Sequence, residues 1–294
     1  MPGLESAVPD FKLATDPPES KITPANTSHA SLFSLSGKTI AITGAGRGLG
    51  ITLAAAILEA GGNVACLDIL TEPAAEEWAA TTKTAKLSKL SLTYRRVDIT
   101  DEENLAKVLD EVAADGDAVG APFYGVIACA GIQQQIPAVE YPKNDFERIL
   151  SVNVTGSFLT AKHSARIMIK NGVKGSIVLI ASMSGEIANR GLSCSAYNTS
   201  KAAVQQMCRS VAQEWGTHGI RVNTLSPGYI RTAMTDMLLA QNPDLEKTWM
   251  AGALLNRLGA PEDFKAPAIF LLSPGSSFMT GADLRVDGGH CASA

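Results

Sequence analysis

The chain has 294 residues, 46 % hydrophobic and 18 % charged, enough apolar material for one large globular core or two smaller ones. A net charge of −4 with no Lys/Arg cluster argues against a nucleic-acid partner, which needs a basic face. No apolar run reaches the roughly 18 residues that cross a bilayer, and the N-terminus lacks the basic-then-apolar pattern of a secretory leader, so a cytoplasmic protein with no membrane partner is expected.

Residues 1–35 are rich in Pro, Ser, Thr and Ala with no sustained period and read as a mobile arm, one that could pack on a neighbouring subunit. From Lys38 onward short apolar runs alternate with amphipathic stretches. The run 38–43 (KTIAIT) reads as a buried strand, followed by glycines and a helix ending on Gly61–Gly62. Strands follow at 63–69 and 92–98. Thr100 and Glu103 then read as a capping box ahead of the stripe Leu105, Val108, Leu109 and Val112. Further strands are expected at 123–131, 175–182, 221–228 and 283–289, with helices between them. Continuously apolar strands separated by helices indicate a parallel sheet covered on both faces. Right-handed crossovers make it an α/β doubly wound (Rossmann) sheet of about seven strands, forming a single domain over 36–294. Cys66, Cys129, Cys194, Cys208 and Cys291 are scattered without a CxxC, and the four histidines are isolated, so reduced thiols and no metal site are expected.

The turn after the first strand, TGAGRGLG, places Thr43, Gly44, Gly48 and Gly50 between a strand and a helix. Glycine permits the tight turn and lets backbone N–H groups approach a pyrophosphate at the positive end of the helix. Arg47 and Leu49 lie in the same turn. Asp68 ends the second strand, where a carboxylate accepts hydrogen bonds from an adenosine ribose and repels a 2′-phosphate. NAD is therefore the expected cofactor. Arg47 keeps NADP open, since a guanidinium beside the turn can reach a 2′-phosphate. Asp98 and Ile99 follow the third strand and are placed to bracket an adenine; Asp98 suits a capping or turn role equally well.

In SAYNTSK, Tyr197 and Lys201 stand four apart, on one helical face, just after the strand that ends near Ser182. Of the five tyrosines only Tyr197 has a lysine at this spacing. Free tyrosine, with a pKa near 10, is a poor acid–base catalyst at neutral pH. An ammonium one turn away favours the phenolate and is expected to lower that value. Hydride exchange at a carbinol carbon needs a matching proton transfer at its oxygen, which Tyr197 would supply while Ser182 holds the oxygen and Lys201 tunes the phenol and grips the nicotinamide ribose.

TGAGRGLG, ACAG (128–131), SVNVTGSF, SMSG, YNTSK and SPGYIRT, in this order, resemble the short-chain dehydrogenase/reductase family over about residues 36–290. The resemblance implies the same roles for Tyr197, Lys201 and Ser182. It adds Asn153 as a catalytic residue that kinks its helix so that a carbonyl holds a water in a proton relay to the lysine. An amide within the apolar stretch ILSVNVTGSFL already looks out of place, because a buried amide needs partners. Ser184 is the rival serine, and Ser182 is preferred because it stands three residues before Gly185. Where the family has NNAG this chain begins with Ala128 and Cys129, which loses side-chain hydrogen bonds but keeps the small floor of Ala130 and Gly131. SPGYIRT resembles the segment closing over the nicotinamide, with Pro227, Gly228, Ile230 and Thr232 as contacts. The resemblance also implies a homotetramer or homodimer built on helices 145–171 and 197–216, with Trp215 and Phe158 equally suited to core or interface.

Substrate contacts are expected from 186–196, 132–137 and 232–255, which carry Glu186, Asn189, Arg190, Gln133–Gln135, Met234, Met237, Leu238, Leu239 and Trp249. So many amide and charged groups suit a hydroxylated small-molecule alcohol or carbonyl, though they could equally cap the loop. ASMSGEIAN also resembles fungal-type polyol and sugar reductases of the family, acting on mannitol, arabinitol, sorbose or xylulose. The alternatives are a reductase of small non-sugar ketones or aldehydes, a nucleotide-binding sensor or scaffold without chemistry, and an epimerase or dehydratase.

Overall fold

Strands apolar on both faces must be covered on both, and the chain meets this with two layers of helices around one sheet. The computed structural model describes residues 28–231, 235, 239–240 and 243–293. The elements in order are α1 (His29–Leu32), β1 (Thr39–Thr43), α2 (Gly48–Glu59), β2 (Asn63–Asp68), α3 (Ala75–Ser88), β3 (Leu92–Arg96), α4 (Glu102–Ala118) and β4 (Phe123–Ala128). They continue with α5 (Lys143–Leu150), a wide π-helical turn (Ser151–Gly156), α6 (Ser157–Lys170), β5 (Ser176–Ile180), α7 (Ser195–Trp215), β6 (Arg221–Pro227), α8 (Pro243–Gly252), α9 (Lys265–Leu272) and β7 (Asp283–Val286). The strand order is β3-β2-β1-β4-β5-β6-β7 with every neighbouring pair parallel, the doubly wound sheet expected from the sequence.

Alternation along the strands sorts the core into two layers. Ile40, Ile42, Val64, Cys66, Ile127 and Val178 join Leu53 and Ile57 of α2 and Leu271 and Leu272 of α9. Ala41, Ala65, Leu67, Val126, Ile177 and Leu179 join Leu105 and Leu109 of α4, Leu159 and Met168 of α6, and Val204 and Cys208 of α7. The sheet reverses direction between β1 and β4, so a crevice opens at their carboxyl ends.

The structure differs from the sequence reading at several boundaries. The run 123–131 leaves the sheet after Ala128, and 283–289 leaves it after Val286, where the Asp287 carboxylate accepts from Gly289 N at 2.9 Å and Cys291 N at 2.8 Å. Thr100 and Glu103 form no capping box. The Thr100 hydroxyl turns back to Asp98 Oδ1 (2.7 Å), and Asp101 caps α4 instead, its carboxylate accepting from Asn104 N at 3.1 Å. Most of the arm expected over 1–35 lies outside the described residues. Its last stretch is packed, with Leu35 fully buried and its N–H donating to Ala60 O at 2.8 Å.

Arg221, at the start of β6, closes the end of α9. Its Nη1 donates to Leu271 O (2.9 Å) and Ser276 Oγ (2.7 Å), and its Nη2 to Ser273 O (3.2 Å). A cation on the last carbonyls of a helix satisfies orphan acceptors and complements the helix dipole. Arg221→Leu is expected to lower the free energy of unfolding by about 2–4 kcal/mol in urea titrations, with Arg221→Lys recovering part of the loss.

Candidate active site

Gly44 stands where β1 gives way to the turn, with φ +69°, and a Cβ there would lie 2.6 Å from Ala130 Cα. The ends of β1 and β4 therefore meet backbone to backbone, with Ala130 N donating to Thr43 Oγ1 at 3.4 Å. Gly50 presses against the same corner: a Cβ would fall 2.2 Å from Gly44 O. Gly48 has φ +59° with open space where a side chain would stand, and it begins α2, whose free N–H groups face outward. The turn already holds carboxylates. Asp68 Oδ2 accepts from Gly46 N at 2.8 Å, and Glu77 Oε1 accepts from Gly48 N at 3.3 Å. Donors that take a carboxylate at a helix N-terminus suit a pyrophosphate, so these residues fit a dinucleotide. Arg47 is exposed beside them, and Leu49 packs half-buried on the core.

Across the crevice, Tyr197 lies in the first turn of α7, and Lys201 follows one turn later with its Nζ 5.5 Å from the centre of the Tyr197 ring. Lys201 is buried and donates to Ile180 O, the last carbonyl of β5, at 2.8 Å. The Ser182 hydroxyl lies on the phenol's side of the site, where it draws the phenol's pKa down, and Ser182 Oγ accepts from Ser184 N at 3.1 Å and donates to Pro227 O at 3.5 Å. Asn153 is fully buried in the π-helical turn, whose i→i+5 spacing interrupts the α-helix. Its Oδ1 accepts from Ile132 N (2.8 Å), and its Nδ2 donates to Ile132 O (2.9 Å) and Ser200 Oγ (3.0 Å). Gly131 sits between: a Cβ there would be 3.3 Å from Asn153 Oδ1 and 3.7 Å from Lys201 Nζ.

Electrostatically the pair departs from the sequence reading. Burial pushes the Tyr197 phenol up to about 12, against the lowering pull of the Ser182 hydroxyl. Burial also brings the Lys201 ammonium down to about 8. The expected lowering of the phenol by the lysine is thus reversed in the chain by itself, because desolvation penalises both charged forms. Cys129, in place of an asparagine, is likewise held protonated by burial, up to about 12.

Other expected residues are spread around this centre. Gly228 N donates to Val286 O at 3.0 Å, and Ile230 bridges to Gly259. Ile99 spends its side chain on the core against Gly156, and Asp98 holds Thr100 in a turn. Thr232, Met234, Met237 and Leu238 lie outside the described residues. On the substrate side, Glu186 pairs with Arg285, and Asn189 Nδ2 donates to the Tyr229 hydroxyl at 3.1 Å. Trp249 is buried and stacks on Tyr229 with ring centres 4.1 Å apart. Three expected substrate contacts therefore serve the architecture, while Arg190, Gln133 and Gln135 remain exposed.

Two residues escaped the sequence reading. Ser200 connects Asn153 to α7, donating to Tyr197 O at 2.7 Å. Gln205 donates to Ser182 O (3.3 Å) and Ser226 Oγ (3.2 Å), holding the serine loop from behind. Gln205 stands one further turn along the Tyr197–Lys201 face, so extending that stripe by four residues finds it.

Comparison with known proteins gives the family of the fold. A family model described as enoyl-(acyl carrier protein) reductase matches residues 44–290. The short chain dehydrogenases/reductase notP' of Aspergillus versicolor is 48 % identical over 90 % of each chain. The galactitol 2-dehydrogenase (L-tagatose-forming) of Cereibacter sphaeroides is 36 % identical over 89 % of this chain and 98 % of its own. Among solved structures, the NADPH-dependent 3-quinuclidinone reductase of Rhodotorula rubra superposes with a TM-score of 0.81 at 35 % identity, over 94 % of this chain and all of that one. With its seven-stranded parallel sheet and glycine turn at the switch point, the chain belongs to the short-chain dehydrogenase/reductase family, whose members are NAD(P)-dependent oxidoreductases.

Proposed function

We propose that the chain interconverts a polyol and its ketose with NAD, using Tyr197 as the proton-transfer residue, Ser182 to hold the substrate oxygen, and Lys201 and Asn153 to support the tyrosine. The observation that carries this reading is the constellation of buried Ser182 and Lys201 around a half-buried Tyr197, across the crevice from the glycine turn. A nicotinamide held in the crevice would supply the hydride exchange. Tyr197 keeps its proton at neutral pH and donates it from Oη to a carbonyl oxygen during reduction; in alcohol oxidation the same oxygen must first be deprotonated. Lys201, fixed by Ile180 O, stands where it can reach a ribose hydroxyl and steady the phenol. Asn153 fastens α7 to the Gly131–Ile132 floor through Ser200 and Ile132.

Asp68 supports NAD: its carboxylate is oriented by Gly46 N and Leu70 N at the end of β2, where a ribose 2′-hydroxyl is the natural partner. The similarity to a galactitol dehydrogenase supports a polyol, and the exposed Gln133, Gln135 and Arg190 offer the polar contacts such a substrate needs. The second reading, a reductase of small non-sugar ketones, is favoured by the similarity to a quinuclidinone reductase. Phe158 and Ile169, apolar and partly exposed on α6, support pairing with a second copy as a homodimer or homotetramer. Five free cysteines fit a reducing cytoplasm.

Three outcomes follow. Tyr197→Phe should cut turnover about a thousandfold while NAD binding, read by calorimetry, stays within about twofold; undiminished turnover would remove Tyr197 from the chemistry. Because the phenol lies above its ordinary range, the rate of alcohol oxidation should climb with pH through neutrality and beyond, whereas carbonyl reduction should stay flat until the phenol ionises. A panel of ketoses and small non-sugar ketones, run with NADH and NADPH, should give ketoses with NADH a kcat/KM at least about tenfold higher. The reverse ranking would favour the second reading.

A further inference from the structure

Glu77 lies on α3, outside every element that carries the catalytic residues, yet its carboxylate reaches the glycine turn and accepts from Gly48 N at 3.3 Å. Its position is built in. Ala74 N donates to Gly46 O at 2.8 Å, which fixes the start of α3 against the turn, and Trp78 packs edge-on to Tyr94 with ring centres 5.6 Å apart. Gly46 N, two residues before Gly48, is held by Asp68 Oδ2 at 2.8 Å. Two carboxylates from different elements therefore flank a stretch of backbone at most ~7.6 Å long, with the exposed Arg47 between them. Asp68 and Glu77 thus bring two negative charges to the turn beside Arg47, while Arg96, the register partner of Asp68 on β3, donates from Nε to Ile69 O at 3.1 Å.

Resting on the NAD reading, we infer that Glu77 is a second cofactor-discriminating residue that works beside Asp68 against a 2′-phosphate. On that reading the ribose 2′-oxygen meets Asp68, so a dianionic phosphate there and Glu77 would be held at either end of the same short stretch of backbone, where exposed charges interact and salt screens them. Arg47, next in the chain to the Gly48 whose N–H Glu77 holds, is a cation that could compensate such a phosphate. A residue acting by charge through partly exposed space discriminates modestly, and salt weakens its effect.

The test is calorimetric titration of NAD and NADP into the wild type, Glu77→Gln and Glu77→Asp at low and high salt, with thermal melts to check folding. Glu77→Gln should lower the NADP/NAD ratio of Kd values about three- to fivefold at low salt, and the change should shrink at roughly 0.5 M salt. Glu77→Asp, which keeps the charge, should stay near the wild-type ratio. An unchanged ratio in Glu77→Gln, or a change insensitive to salt or equally large in Glu77→Asp, overturns the inference while wild-type preference for NAD still stands. A wild type that binds NADP more tightly than NAD overturns the NAD reading itself, and the inference with it.

Discussion

The approach of Gly44 to Ala130 is the constraint on which the site depends. At the point where the sheet changes direction, the ends of β1 and β4 come so close that neither can carry a side chain toward the other. That contact sets the floor of the crevice. It leaves the N–H groups of α2 facing outward on one side and the serine, tyrosine and lysine on the other. A bulkier residue at Gly44 would have to push the two strands apart, and the sheet resists because each is hydrogen-bonded on both edges.

Burial decides the protonation of the acid–base pair. Opposite effects compete at Tyr197: the hydroxyl of Ser182 favours the charged form, while loss of water disfavours it, and loss of water prevails. Lys201 experiences the same loss and is softened as a cation, with Ile180 O as the acceptor that keeps it in place. The site thus stores a protonated phenol beside a readily titrated amine.

Most of the architecture was legible in the sequence because it rests on short-range rules. Apolar runs gave seven strands, the strand–turn–helix pattern located the glycine turn, and four-residue spacing joined Tyr197 to Lys201. What escaped depended on partners distant in the chain. Thr100 was a credible cap until Asp98 claimed its hydroxyl. Glu186 and Asn189 read as substrate contacts, but Arg285 and Tyr229, about 99 and 40 residues away, engage them. The raised phenol was hidden for a related reason: spacing shows that a lysine is near, whereas the depth of both groups is a property of the assembled fold.

The wide turn at Ser151–Gly156 carries one residue more than a regular helix would use for the same rise. It is from within this turn that Asn153 reaches Ile132 and Ser200. The stretch is therefore constrained in its count as well as at Asn153 and at Gly156, where a Cβ would meet Ile99 Cδ1. Losing a single position would straighten the coil, turn the amide by about 100° away from the crevice, and break the link between α7 and the floor, leaving the sheet intact but the catalytic machinery out of register.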